Sequence, residues 1–176
     1  MGQPSMASGD IMLFYHPRGV ARLISFFTRS PYYHVAIAEN PNELIEAVPR
    51  GVVRTSLASK GKARFVIVSS PGKEPAKAAL HWAESKVGDG YDPSDLLAIA
   101  LDRIFTQVHV NLVHGDRFTC GEFIATAFKE TGVVLFPDLD LEDVVSADFA
   151  RLLPKGNIAK ETKSSGTRVT VSHQRE

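Results

Sequence analysis

The chain of 176 residues holds a single cysteine, Cys120. No intrachain disulfide can form, so the fold must stand on packing, as expected of a reducing compartment. It carries no excess of either charge, with 20 Lys+Arg against 20 Asp+Glu. There is thus no net field to draw in nucleic acid or an anionic membrane, and no nucleic-acid partner is expected. No apolar run approaches the roughly 18 residues of a membrane span, so no integral membrane segment is expected. The opening MGQPSMASGD lacks the basic start and apolar stretch of a secretory signal, which predicts a soluble, by default cytoplasmic, protein. The glycines form neither a GxxxxGK(S/T) phosphate loop nor a GxGxxG turn after a strand, so no nucleotide or other cofactor is expected. His109 and His114 do not have the HExxH spacing, and a lone cysteine without a tight His/Asp cluster predicts no metal.

What is present describes one ordinary domain. Hydrophobic residues make up 44% and charged residues 23%, enough for a single core and too little chain for two domains of usual size. Residues 1–8 read as a flexible leader. IMLFY (11–15), HVAIAE (34–39), ELIEAV (43–48), a segment opening at Val52 and Val53, and ARFVIVSS (63–70) have strand character. Asn40-Pro41-Asn42 favours a hairpin between the second and third of these. Helical spacing appears at Val20, Leu23, Ile24 and Phe27, over 75–87, after Asp92-Pro93, and over 120–129. A short element is expected around 141–152. Residues 155–176 carry five Lys+Arg against two Glu and read as a basic flexible tail, with an edge strand at 168–172 as the rival reading.

The chemistry gathers around Cys120, at the head of an apolar helix in the string RFTCGEFIATAF. Unpaired N–H groups and the helix dipole favour a thiolate there, and the same donors can hold an oxyanion. Gly121 leaves open access for a substrate. Read alone, such a cysteine is more often a small buried hydrophobe. A base is required, and among six histidines His34 is the strongest because it opens a strand. A hairpin pairing residue 36 with 46 sets His34 and Glu46 on one face as diagonal neighbours, where the carboxylate can fix the imidazole tautomer. A one-residue slip removes that relationship. Taken singly, His34 is as readily a strand-edge histidine bonded to backbone, and Glu46 a solvated acid. Tyr15 is a candidate for the pocket wall. The aromatic stretch of Phe26, Phe27, Tyr32 and Tyr33 suits an apolar ligand or, for at least two rings, the core.

GDIMLF (9–14), PYYHVAIAE, LIEAVPRGVV, GYD (90–92) and FTCGEFIATAF (118–128) occur in an order that resembles the circularly permuted branch of the NlpC/P60 papain-like superfamily. That branch includes the YiiX-like and YaeF-like proteins and is related to the lecithin:retinol acyltransferase group. In ordinary papain-like chains the nucleophile comes first; here His34 precedes Cys120 by 86 residues. The resemblance covers about residues 9 to 150 and implies an α+β fold over 9–154, an antiparallel sheet packed on helices. It implies Cys120 as nucleophile, His34 as base and Glu46 as orienting residue. Two positions depart from the family pattern: Tyr33 stands where a small Ser or Thr commonly precedes the histidine, and Gly121 where a Ser often follows the nucleophile. Tyr33 is therefore expected to reshape the pocket.

The resemblance implies a cysteine amidase or peptidase acting on a peptide or acyl-amide substrate, with peptidoglycan fragments as one class. A cell-wall target requires delivery by lysis, a phage particle or another non-classical route. The alternatives are a hydrolase or transferase of lipid acyl groups and a binding protein without turnover. Oligomeric state is not legible in the chain.

Overall fold

Five consecutive apolar residues, Ile11 to Tyr15, form a strand with no solvent side, and the structure shows why. The computed structural model describes residues 6–15, 30–48, 50–61, 63–88, 118–153 and 167–169. Within them β1 (Ile11–Tyr15), β2 (Tyr32–Asn40), β3 (Glu43–Val48), β4 (Gly51–Ser56) and β5 (Arg64–Val68) pair antiparallel in the order β4-β3-β2-β1-β5. β1 is central and both faces of the sheet are covered. Ile11, Leu13 and Tyr15 join a larger cluster with the helices, while Met12 and Phe14 join a second cluster with Ala36, Ala38, Leu44 and Ile67.

The β2–β3 hairpin turns through Pro41-Asn42, where Asn40 Oδ1 accepts from Asn42 N–H at 2.9 Å and Asn40 Nδ2 donates to Glu43 at 2.8 Å. Its register pairs Ile37 with Ile45 and Ala38 with Leu44. Continued along the strands, it sets residue 36 beside 46, the alignment that puts His34 and Glu46 on one face.

Among the described residues, two helices cover the larger cluster. α1 (Lys73–Ser85) buries Ala76, Ala79, Leu80 and Ala83. It starts two residues before the expected 75, because Pro75 is tolerated in a first turn whose N–H groups have no helical partner anyway. It ends before Gly88, whose φ of +96° reverses the chain. α2 (Cys120–Lys129) spans the predicted segment and buries Phe123, Ile124, Ala127 and Phe128. Each such large side chain contributes about 1.5–3 kcal/mol on burial. α2 rests on β2, β3 and α1, which places its first residue over the sheet. The expected element near 141–152 is two short 3₁₀ turns, Leu141–Asp143 and Asp148–Leu152.

Part of each chain end is described. Met6 is buried on the second cluster, Ala7 N–H donates to the Asp10 carboxylate, and Gly9 N–H donates to Ala38 O, so residues 6–9 are anchored rather than a flexible leader. In the basic tail, Thr167–Val169 forms β6, paired parallel with Val66–Val68 on the open edge of β5. A β-branched run beside an unpaired edge satisfies backbone groups that a free tail leaves to water. The predicted helices at 20–27 and after 92–93, and the remainder of the tail, lie outside the described residues.

Candidate active site

His34 owes its position to a bulge. Phe14 pairs with His34 and Tyr15 with Tyr32, so Tyr33 is an extra residue on β2. In an uninterrupted strand Tyr32 and His34 would share a face. The bulge instead sends Tyr32 into the helix-covered cluster and keeps the His34 ring beside Phe14, at a centroid distance of 5.7 Å. Tyr33 lies half-buried against the second cluster.

Across the hairpin, His34 Nε2 lies 2.6 Å from Glu46 Oε2. Nε2–H donates to the carboxylate, which leaves Nδ1 for the Cys120 thiol, the neighbour that does most to raise the ring's pKa. Glu46 is only 1% exposed. It has a second partner that the sequence did not announce: Lys60 Nζ donates to Oε1 at 2.5 Å and to Oε2 at 2.6 Å. Lys60 closes the 3₁₀ turn Leu57–Lys60 and stands 5.7 Å from the Phe14 ring centroid.

The thiol meets the ring where backbone pairing between β2 and β3 has ended. Ala38 N–H donates to Asp10 O at 2.8 Å, so by alternation the Val35 amide points to the β3 side of its strand. The paired residues stop at Ile37 and Ile45, which leaves the Val35 N–H on that side able to lower the pKa of the Cys120 thiol. The Gly121 N–H favours the thiolate as well. Thr119 caps α2 by a reciprocal box with Glu122, each contact 3.1 Å long. The motif is visible in the string TCGE, and it fixes Cys120 as the first helical residue.

Electrostatics follow from these contacts. Burial disfavours the charged imidazole, but the Cys120 sulfur and Glu46 outweigh it and raise the His34 pKa to about 9. Burial likewise opposes the Glu46 carboxylate, yet His34 and Lys60 hold its pKa down to about 2. For Cys120, burial pushes the thiol up, while His34 and the Val35 and Gly121 amides bring it below its ordinary value. The arrangement favours thiolate beside imidazolium.

The structure thus brings Cys120, His34 and Glu46 together. The three accessory candidates fare differently. Gly121 is buried, and a Cβ there would lie 2.4 Å from Val144 O, so the missing side chain makes room for the 144–145 backbone and not for a substrate. Its amide does serve the sulfur. Tyr15 is 3% exposed and packs edge-on to Tyr32 at 6.1 Å, a core residue of a central strand rather than an open pocket wall. Tyr33 shapes the site through the bulge. Beside them, Ser146 is buried and donates to Tyr32 O at 3.4 Å, tying the segment over α2 to the start of β2. A depression between α2 and Val134–Leu141 contains none of the three residues.

Among the described residues no group of three or more His, Cys, Asp and Glu is arranged to hold a metal, and no helix is long and apolar enough to cross a membrane. No protein-family model matches the chain, and no curated protein matches it.

Proposed function

We propose that the protein is a thiol hydrolase that cleaves an amide bond through an acyl-enzyme intermediate, on a permuted papain-like fold of the NlpC/P60 type. The observation that carries this reading is the His34–Glu46 hydrogen bond, with a Cys120 thiol beside the ring whose pKa His34 draws below its ordinary value. The order of the sequence segments supports the same family.

In the first half-reaction the Cys120 thiolate attacks the carbonyl carbon, and the Cys120 N–H at the head of α2 stabilises the oxyanion. His34, protonated at Nδ1, gives that proton to the leaving nitrogen as the C–N bond breaks. A thioester on Cys120 remains. His34 then removes a proton from water, the hydroxide carbon–oxygen bond forms, and the acid leaves as the thiolate and imidazolium are restored. Glu46 keeps the ring in place throughout. An imidazolium retained at neutral pH is suited to an amine, which departs poorly unless protonated.

The test is incubation with peptidoglycan-derived peptides and with acyl esters, followed by mass spectrometry of products and of intact protein. Amide products with a transient adduct on Cys120, both lost in Cys120→Ala, are expected. Turnover confined to acyl esters would overturn the amide assignment. Neither product nor adduct from either class would leave a binding protein as the better account.

A further inference from the structure

Lys60 is placed for a task that the three-residue site leaves open. A carboxylate with 1% exposure is costly unless its charge is matched. Neutral imidazole does not match it, and His34 must be neutral for part of any acyl-transfer cycle. Lys60 contacts both Glu46 oxygens, within 2.5 and 2.6 Å, with its own side chain 23% exposed. Oε1 is given to Lys60, and Oε2 is shared between Lys60 and His34 Nε2. Rotation of the carboxylate is thereby fixed, and Oε2 is held toward the ring.

We propose that Lys60 is a positioning residue that keeps Glu46 an anion throughout the cycle and thereby sets how readily His34 releases its proton. With Lys60 in place, thiolate, imidazolium, carboxylate and ammonium sum to zero, and so do thiol, imidazole, carboxylate and ammonium. Proton transfer between Cys120 and His34 leaves the net charge of the buried cluster unchanged. Without Lys60 the same cluster carries one uncompensated negative charge in both arrangements. The imidazolium is then the only counter-ion of Glu46 and holds its proton more tightly, to the detriment of the leaving group. Among the described residues, the charged or titratable side chains acting on Glu46 are His34 and Lys60, and those acting on His34 are Cys120 and Glu46.

The proposal rests on the reading of Cys120 and His34 as an activated pair, and one experiment separates the two. Inactivation of the full chain by iodoacetate, whose carboxylate is drawn to an imidazolium, is followed against pH. The parent is compared with Lys60→Met, Lys60→Gln, Lys60→Arg and His34→Ala. In both neutral Lys60 variants the alkaline limb, where the imidazolium loses its proton, is expected to move up by about one pH unit. Lys60→Arg, which keeps the charge, is expected to stay near the parent. Should Lys60→Met fail to fold, Lys60→Gln, which retains a donor, is read in its place. Superimposable limbs for the parent and the neutral variants would overturn the role of Lys60, even if His34→Ala is slow to react. A His34→Ala variant as reactive as the parent would bring down the activated pair, and this proposal with it.

Discussion

Glu46 Oε2 reaches His34 Nε2 at 2.6 Å although the two residues are diagonal, not opposed, on the β2–β3 hairpin. The 37–45 register makes them diagonal, and the bulge at Tyr33 gives the ring its place beside Phe14. A carboxylate held this way is an acid whose proton affinity differs sharply between folded and unfolded chains.

That difference fixes the sign of a pH effect on stability. The Glu46 pKa falls from 4.5 to about 2 on folding. Its contribution is therefore fully present above 4.5 and is lost as pH falls through about 2. Chemical denaturation of the parent and Glu46→Gln should show a stability gap on the order of 3 kcal/mol near neutrality, closing toward acid pH. A gap independent of pH would contradict the charged, paired state of Glu46.

Gly121 offers a second test, one that separates packing from substrate access. Its absent Cβ would stand 2.4 Å from Val144 O and 2.8 Å from the Val145 backbone. Backbone atoms cannot swing aside as a side chain does. Gly121→Ala should lose about 1–3 kcal/mol of unfolding free energy, read from denaturant midpoints. A variant as stable as the parent would show that the 144–145 segment is free to retreat.

Much of the site was legible because short-range rules decide it. The hairpin is legible from Asn-Pro-Asn, but its alignment is not set by the turn alone: Asn40 pairs with Glu43, and a register shift between Ala38 and Asn40 gives the 37–45 alignment in which residues 34 and 46 share a face. The helix at 120–129 announces itself by its apolar spacing. Lys60 had no such signal. It lies 14 residues from Glu46, and its reach depends on how a 3₁₀ turn folds back over the sheet. The bulge at Tyr33 was equally hidden, since an extra residue leaves the apolar pattern of YYHVAIA readable in either phase. Gly121 was misread for a related reason: what fills the space of a missing side chain is backbone from 23 residues downstream, at Val144.

The central claim is that His34 activates Cys120. It is tested most directly by the rate at which iodoacetamide alkylates Cys120 near pH 6, where an ordinary thiol is almost wholly protonated. The parent should react about tenfold or more faster than His34→Ala, with unfolded protein reacting at the slower rate. Equal rates in the parent and in folded His34→Ala would contradict the account.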